Sequence, residues 1–585
     1  MDDEQERLAQ ANRGDLPWRR WGPYLSERAW GTVREDYSAG GDAWEYFPFE
    51  HAGSRAFRWS EDGMGGICDT DQQLCLAVAL WNGVDPILKE RPYGLTGPQG
   101  NHGEDVKDYW WYLDATPTSS WLQWRYHYPQ RAFPYQDLLE TNRARTRLDP
   151  EYELIDTGVF AENRYWAVTA TWAKGGPEDL VWHLQVHNAG PDEATIDVLP
   201  TIWYRNTWSW DPGAVPPQLS RLDGATIAVD HPELGHWRLA GAGSPEALFC
   251  DNVTNTTKLY GSEGPRFPKD GIADHLLTGS ATVNPAETGT KAALRYRLTV
   301  AAGATAQIRL RFWRVGEGAR PTPTSAEGDL RAGWTQVVAD RQAEADHYYA
   351  GLSPHDATAD EARVLRQAAA GMLWSKQYFH YDVSRWLSGD PTQPRPPPGR
   401  GEVRNGAWIH LDNEDVISMP DPWEYPWYAA WDLAFHCVAL AHLDVDFAKR
   451  QLILLCREWY MHPNGQLPAY EWNFGDVNPP VHAWAALRVF EIDWHARAAR
   501  GEDATPDFAF LERIFHKLML NFTWWVNRKD EAGNNVFEGG FLGLDNIGLF
   551  DRSKPLPIAG RLEQSDGTAW MAMYSLNLLE MALVL

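Results

Sequence analysis

The hydrophobic pattern of this chain changes its period near residue 320. Before that point, segments such as 164–173 (RYWAVTATWA) and 179–188 (DLVWHLQVHN) alternate apolar and polar residues, and turn-forming residues separate them. Alternation of this kind is typical of strands that are half-buried in antiparallel sheets. After residue 320, apolar residues recur at helical spacing. The pattern predicts a multidomain protein of β and α structure, with an N-terminal antiparallel β-sandwich followed by helices.

We predict three segments from this change. Residues 1–322 form the β-sandwich domain, 323–358 a helical linker, and 359–585 the first half of an (α/α)6 barrel. The stretch RPTPT (320–324) interrupts the strand pattern, because proline lacks a backbone donor. Long aromatic and acidic loops precede alternate helices in the second half. This arrangement resembles that of an (α/α) toroid, in which the loops that lead into the inner helices share one rim.

The charge balance narrows the range of partners. The chain has 80 Asp and Glu against 53 Lys and Arg, a net charge of -27, which repels nucleic acids and anionic membranes. We therefore expect neither partner. The N-terminus lacks the apolar segment of a signal peptide, and no apolar run approaches the roughly 20 residues of a membrane span. We expect a cytoplasmic protein; the sequence leaves its oligomeric state open.

Two residue types have special chemistry. The five cysteines are scattered without metal-ligand spacing, so we expect reduced, mostly buried thiols and no metal site. The chain also has 32 Trp, with 23 Tyr and 20 Phe. An indole face can stack on the apolar face of a sugar ring, but large cores consume aromatic residues as well. The composition leaves both explanations open.

The segment WYAAWDLAFH contains the best candidate for a general acid, Asp432. Hydrolysis of a glycosidic bond needs a protonated carboxyl group at the leaving oxygen and a second carboxylate. Trp427, Tyr428 and Trp431 precede Asp432, and apolar surroundings favour the protonated form. The alternative is a carboxylate that satisfies free N–H groups at a helix N-terminus, which would lower its pKa. On position alone both interpretations stay open.

Other polar residues lie in the same class of loop, where they would suit the hydroxyls of a monosaccharide. The set comprises Glu424, Gln466, Glu471, Trp472, Asp476, His482, Asp545, Asn546, Asp551, Glu563, Gln564 and Asp566. Taken singly, Asp566 is typical of an N-cap, Asp545–Asn546 of a turn, and His482 of a packed histidine. We place more weight on the set than on its members.

The β region also has clusters of acidic residues and histidine. They fall in segments 59–69 and 100–121 and comprise Glu61, Asp62, His102, Glu104, Asp105 and Asp108. No metal-ligand spacing is present among them. We predict solvated loops that cover the mouth of the barrel.

Several segments together resemble glycoside hydrolase family 63, especially bacterial proteins of the mannosylglycerate-hydrolase-like or glucosidase type. They are WYAAWDLAFH, QLPAYEWNFGDVNPPVHAWA, GGFLGLDNIGLFDRS and LEQSDGTAWMA, with WGPYLSERAWGTVREDYS in the β region. The resemblance implies a β-sandwich followed by an (α/α)6 barrel, exo-acting α-glycosidase chemistry with inversion, and no cofactor. It also implies that Asp432, in a Trp-Asp step, is the general acid. The general base of the family is a Glu later in the barrel.

We therefore predict an inverting, exo-acting hydrolase that releases a terminal α-linked glucose or a related sugar from a small glycoside or oligosaccharide. Apolar walls are expected from Trp427, Tyr428, Trp431 and Trp472, and contacts to hydroxyls from Glu471, Asp545, Glu563, Gln564 and Asp566. The chain ends within an apolar helix, so we expect a truncated, inactive form whose base lies past Leu585, with Glu563 as the alternative base. The alternatives are a trehalase-like or phosphorolytic toroid enzyme, and an inactive or carbohydrate-binding protein.

Overall fold

The structure is a computed structural model that divides into two compact units. It describes residues 2–38, 42–101, 105–211, 213–316, 330, 333–393, 395–396, 398–402, 406, 408–423, 429–467, 469, 477–501, 505–530, 533–534, 536–537 and 566–585, the side chains of Glu402 and Asp566 excepted. The N-terminal unit comprises residues 1–36, 42–378 and 422–424. The C-terminal unit comprises 37–41, 379–421 and 425–585.

Antiparallel strands dominate the N-terminal unit, which confirms the predicted class of structure. One sheet has the order β1-β2-β3-β10-β16-β14 and the other β15-β11-β12-β13-β17-β9-β8-β7-β6. The strands are β1 (Trp21–Gly22), β2 (Met64–Asp69), β3 (Leu74–Trp81), β4 (Gly94–Leu95), β5 (Asp105–Val106), β6 (Trp110–Ala115), β7 (Trp121–Pro129), β8 (Tyr165–Gly176), β9 (Asp179–Asn188), β10 (Ala194–Tyr204), β11 (Gln218–Asp223), β12 (Thr226–His231), β13 (Gly235–Gly241), β14 (Glu246–Cys250), β15 (Thr288–Gly289), β16 (Lys291–Val300) and β17 (Thr305–Arg314). The short strands β4 and β5 pair separately.

Aromatic side chains fill the space between the two large sheets. Trp172 on β8 donates from its indole nitrogen to the carbonyl of Gly65 on β2, at 3.0 Å, and its ring stacks on Trp182 at 4.2 Å. Buried tryptophans of both units include Trp21, Trp30, Trp59, Trp124, Trp166, Trp172, Trp182, Trp237 and Trp386. Core packing therefore accounts for much of the tryptophan content that the sequence left open between core and sugar stacking.

Gly65 offers a test of this packing. Its φ of +56° is unfavourable for other residues, and a Cβ there would lie 2.6 Å from a ring carbon of Trp124. We expect Gly65→Ala to lower the free energy of unfolding by about 1–3 kcal/mol, because the ring must shift and the backbone is strained. The measurement is urea unfolding. Gly53→Ala is the control, since a Cβ at Gly53 meets nothing within 4 Å; equal effects would contradict the packing argument.

The helices of the N-terminal unit lie around the sheets. They are Asp3–Arg13, Ala43–Tyr46, Phe49–Ala52, Tyr135–Ala144, Thr256–Tyr260, Gly271–Thr278, Trp334–Leu352 and Ala359–Trp374, with 3-10 helices at Val33–Glu35, Leu154–Thr157, Ala161–Asn163 and Trp208–Trp210. Among the described helices, none is long and apolar enough to cross a membrane.

The helix Ala359–Trp374, which the sequence assigned to the barrel, packs on the β structure instead. Arg366 donates to the carboxylate of Asp114 on β6, at 2.8 Å, and the indole of Trp374 donates to the carbonyl of Asp114, at 3.1 Å. The ring of Trp374 also stacks on Tyr112 at 5.3 Å. The units accordingly divide after Tyr378, within β18 (Lys376–Asp382), and not at residues 322 and 358.

The C-terminal unit is mainly helical. It contains the part of β18 after Tyr378 and β19 (Asp412–Ser418), which pairs with β18. Its helices are Val383–Ser388, Ala430–Leu440, Val445–Leu454, His482–Ala499, Phe508–Val526 and Asp566–Val584, with a 3-10 helix at Pro398–Glu402. The helix His482–Ala499 packs against the other four long helices. Closure of these helices into an (α/α)6 toroid stays a prediction. All five cysteines of the chain are buried free thiols, as predicted.

Candidate active site

Asp432 lies in the first turn of the helix Ala430–Leu440 of the C-terminal unit. The preceding residue, Ala429, is extended and offers no side-chain cap. Other groups accept the first two N–H groups of the helix. The N–H of Ala430 donates to the carbonyl of Ala469 at 3.3 Å, and the N–H of Trp431 donates to the amide oxygen of Asn478 at 3.2 Å. The Asp432 carboxylate is therefore not needed to satisfy these two N–H groups of the helix.

Burial raises the pKa of the Asp432 carboxyl above its ordinary value, against the opposing effect of its own backbone N–H. One turn later on the same helix, His436 contacts the hydroxyl of Ser418 at 3.1 Å. Burial lowers the pKa of His436 to about 4, so that its ring is uncharged at neutral pH. An uncharged neighbour does not stabilise the Asp432 carboxylate. The raised pKa is the direction that a general acid requires, and the opposite of what a capping carboxylate shows.

A row of aromatic rings begins beside Asp432. Trp431 meets Phe435 edge-on at 5.9 Å between ring centroids, and Phe435 lies 5.5 Å from Trp484 on the helix His482–Ala499. Phe435 is 43% exposed, although it is a large apolar residue. Exposed ring faces of this kind can contact the C–H groups of a sugar.

Trp431 also lines a recess with about 320 Å³ of open space. Its lining comprises Ala430, Trp431, Leu467, Asn478, Pro479, Pro480, Val481, His482, Asn521 and Trp525. Both polar atoms of the Asn521 amide have a partner, since its nitrogen donates to the carbonyl of Gly465 and its oxygen accepts from the hydroxyl of Tyr574. The Asp432 side chain is not among the lining groups.

Two buried polar atoms of this lining have no partner among the described residues. The amide nitrogen of Asn478 donates to nothing, although its oxygen accepts from Trp431 and the residue is only 7% exposed. His482 bonds the carbonyl of Leu452 through Nε2, at 2.7 Å, which leaves Nδ1 as an unpaired acceptor. Burial lowers the pKa of His482 to about 4, so Nδ1 stays unprotonated. Two residues of the lining thus carry one donor and one acceptor without a partner among the described residues, the pair that a hydroxyl group can satisfy.

The structure describes only part of the predicted site. Trp431 and His482 line the same recess, and Gln466 is buried nearby in sequence without lining it. The residues Trp427, Tyr428, Glu471, Trp472, Asp545, Glu563 and Gln564 lie outside the described residues, as do Glu424, Asp476, Asn546 and Asp551. Asp566 begins the last helix, and its side chain is not described. Asn478 was not predicted; its position before Pro479 and Pro480, in the loop leading to His482, is the signal that marks it.

The prediction of solvated acidic loops in the β region is wrong for three residues. Glu61, Asp62 and Asp108 are buried. Asp108 lies 3.2 Å from the ammonium of Lys89 and accepts from the hydroxyl of Tyr126 at 2.6 Å. The physical reason is that Lys89 and Arg91 compensate the charges of Asp108 and Asp62, and that Glu61 accepts a hydrogen bond from the amide of Asn252. His102 and Glu104 lie outside the described residues. Among the described side chains, no group of three metal-ligating residues is brought together.

Comparison with known proteins supports the glycoside hydrolase class. Residues 425–541 match the family model of the mannosylglycerate hydrolase MGH1-like glycoside hydrolase domain. The uncharacterized protein YMR196W of Saccharomyces cerevisiae is 45% identical over 622 residues, which cover 100% of this chain and 57% of the yeast protein. A glucosylglycerate hydrolase of Mycolicibacterium hassiacum is 26% identical over 203 residues, 30% of this chain and 45% of that protein. The chain thus spans about half the length of these relatives.

The solved structures that match this chain have low TM-scores and low sequence identity. A family GH92 α-mannosidase from Bacteroides thetaiotaomicron has a TM-score of 0.25 and 10% identity, over 61% of this chain and 42% of the mannosidase. The complex of the same mannosidase with mannoimidazole also has a TM-score of 0.25 and 10% identity, over 61% of this chain and 41% of the mannosidase. Scores at this level do not establish a shared fold. The match to a glycoside hydrolase domain covers the segment that contains Asp432.

Proposed function

We propose that this protein is an inverting, exo-acting glycoside hydrolase that releases a terminal α-linked glucose or a related sugar from a small glycoside or oligosaccharide. Asp432 is the general acid. The observation that carries the proposal is a carboxyl group whose pKa burial raises, next in sequence to a tryptophan that lines a recess with an unpaired donor and acceptor. The match of residues 425–541 to a glycoside hydrolase domain supports it.

In this mechanism the Asp432 carboxyl gives its proton to the leaving oxygen as the glycosidic bond breaks. A second carboxylate takes a proton from water, which attacks the opposite face of the sugar ring; the two carboxyl groups of inverting enzymes stand roughly 6.5–9.5 Å apart. Within the sequence, Glu563 is the candidate for this base.

The recess would hold one hydroxyl of the sugar. Its oxygen accepts from the amide nitrogen of Asn478, and its hydrogen is donated to Nδ1 of His482, the two atoms that have no partner among the described residues. A buried polar atom without a partner costs about 1–3 kcal/mol, so a ligand hydroxyl that satisfies both atoms binds favourably. Trp431 lies on the same wall and would contact the apolar face of the ring.

The decisive experiment is a substrate screen by proton NMR with the full-length protein. The panel holds α-linked glucose disaccharides, glucosylglycerate and mannosylglycerate; the last two follow from the names of the similar hydrolase and family model. An inverting enzyme releases the β-anomer first from an α-linked substrate, before mutarotation. Release of the α-anomer first would overturn inversion, and no release from any member would favour a carbohydrate-binding or inactive protein.

Asn478→Asp tests the recess itself. The aspartate oxygen can still accept from the N–H of Trp431, whereas the amide donor of Asn478 is replaced by an acceptor. We expect KM to rise about tenfold or more, since a hydrogen bond to a substrate hydroxyl is lost and its acceptor meets a negative charge. The measurement is steady-state kinetics on the best substrate of the screen. An unchanged KM with an unchanged melting temperature would contradict a role of Asn478 in binding.

A further inference from the structure

A second cavity lies within the N-terminal unit, with about 340 Å³ of open space. Strands β3, β10 and β16 contribute Ala77, Val78, Ala79, Thr201, Trp203 and Lys291, and loops contribute the rest of its wall. All of these residues belong to the β unit, separate from Asp432 and its recess. The charged side chains of the wall are Glu61, Asp62, Glu90, Arg91, Lys269 and Lys291.

The charges of this wall compensate one another. Nε of Arg91 donates to Asp62 at 3.0 Å, and the ammonium of Lys291 bonds Glu90. Three acidic and three basic groups face the cavity, so a bound ion gains no net attraction from them. A neutral polar ligand needs no such attraction and only matching hydrogen bonds.

Unused hydrogen-bonding groups remain at the cavity. Asn252, which is 0% exposed, donates to Glu61 at 2.7 Å and to the carbonyl of Tyr204, but its Oδ1 has no partner among the described residues. The guanidinium of Arg91 uses Nε for Asp62, and its closest other carboxylate oxygen, on Glu90, is 3.8 Å away, beyond hydrogen-bond distance. An acceptor and a planar pair of donors are therefore available on one wall.

We propose that this cavity binds a small neutral polyol, a molecule of about the size of glycerol. One hydroxyl donates to Oδ1 of Asn252, and another accepts from the terminal nitrogens of Arg91. The indole of Trp203 and the methyl groups of Ala77 and Ala79 contact the carbon chain. Hydroxyl groups both donate and accept, which suits a wall where both kinds of group are unpaired. The site is independent of the proposed hydrolase activity.

Glu61 adds to this chemistry. Burial raises the pKa of its carboxyl, against the effect of the nearby Lys269 ammonium. Lys269 itself donates to the carbonyls of Ala52 and Arg55, at 3.1 and 3.0 Å. A carboxyl with a raised pKa can exchange between donor and acceptor roles, which lets it follow the orientation of a ligand hydroxyl.

Saturation-transfer NMR with glycerol and the full chain tests the proposal. We expect a glycerol signal with the parent protein and a binding constant at least about tenfold weaker in Asn252→Leu, which removes the acceptor. Ala79→Leu is the second variant, because it fills the cavity and leaves every charged group in place. Asn284→Ala is the matched control, since the Asn284 amide bonds its own loop, at Ala286 and Thr288.

The outcomes separate the possibilities. A signal that persists in Asp432→Asn and disappears in Ala79→Leu supports the cavity as the site, and excludes the hydrolase site as the source of the signal. If Asn252→Leu fails to fold, as judged by thermal unfolding, Ala79→Leu alone decides. A parent protein without a signal overturns the proposal and leaves ordered water as the occupant. An undiminished signal in a folded Ala79→Leu variant overturns it as well.

Discussion

Replacing Asp432 with asparagine is expected to lower kcat by about 10²–10⁴ on a substrate whose leaving group is a sugar or an alkyl alcohol. The amide keeps the shape of the side chain but has no proton to give to the leaving oxygen. On an aryl glycoside with a strongly activated leaving group, which departs without protonation, we expect a much smaller loss. Steady-state kinetics on both kinds of substrate measure the difference.

The pH dependence supplies a second readout for the same residue. A general acid must be protonated, so activity is present below its pKa and is lost as the pH rises through it. Burial raises this pKa in Asp432. The alkaline limb of kcat/KM in the parent protein should therefore lie above the range of an ordinary aspartate, and should disappear in Asp432→Asn.

Asp446→Asn is the control, because Asp446 also lies in the first turn of a helix, Val445–Leu454. A charge at a helix N-terminus contributes about 0.3–1 kcal/mol to stability. If Asp432 acts only in this way, both variants should change the melting temperature slightly and leave kcat alone. Equal activity of Asp432→Asn and the parent on an α-glucoside would sink its assignment as the acid.

The alternation of apolar residues was sufficient to predict the β structure. In β9, Leu180, Trp182, Leu184 and Val186 are buried, as their spacing requires for one inward face. The division of the chain was less predictable. An amphipathic pattern shows that the helix Ala359–Trp374 has a face to bury, but not which element covers it. That choice depends on contacts such as Arg366 with Asp114, 252 residues apart in sequence.

The candidate site was predictable where the chemistry is local. Asp432 has its aromatic neighbours within a few positions, so the sequence alone indicates apolar surroundings. The amide oxygen of Asn478 accepts from the N–H of Trp431, 47 residues earlier, and the sequence alone does not show this contact. Likewise, the burial of Asp62 depends on its partner Arg91, 29 residues later. Charged residues in a loop look solvated until the partner is known.

The largest stability effect is expected at Asp493, which links three helices of the C-terminal unit. This buried carboxylate accepts from the ammonium of Lys449 at 2.8 Å and from Arg497 at 3.0 Å. Lys449 also bonds Asp507, at 2.7 Å, and Asp507 caps the helix Phe508–Val526. Removing Asp493 takes one of two carboxylates from a largely buried lysine and leaves the more exposed Asp507 to compensate its charge.

We expect Asp493→Ala to lower the free energy of unfolding by about 3–5 kcal/mol, the usual cost of breaking a buried ion pair from one side. Urea unfolding at neutral pH measures it. Glu491→Ala is the control on the same helix, because Glu491 pairs with Arg488 at 2.7 Å in a more exposed position. That pair should contribute less than about 1 kcal/mol. Similar losses in both variants would contradict the role of burial.

The difference in unfolding free energy between the parent protein and Asp493→Ala should become smaller at acid pH. Burial opposes ionisation of Asp493, but the hydrogen bonds from Arg497 and Lys449 outweigh it and hold the pKa of its carboxyl below the ordinary value. A carboxyl with a depressed folded-state pKa contributes stability that is fully present above its unfolded pKa, about 4, and is lost as the pH falls through the folded value. Unfolding free energies of the parent and Asp493→Ala should therefore differ by a constant amount from pH 5 to 7, and converge below about pH 4. A difference that stays constant down to pH 3, in a protein that remains folded there, would show that the Asp493 side chain contributes by packing and not by its charge.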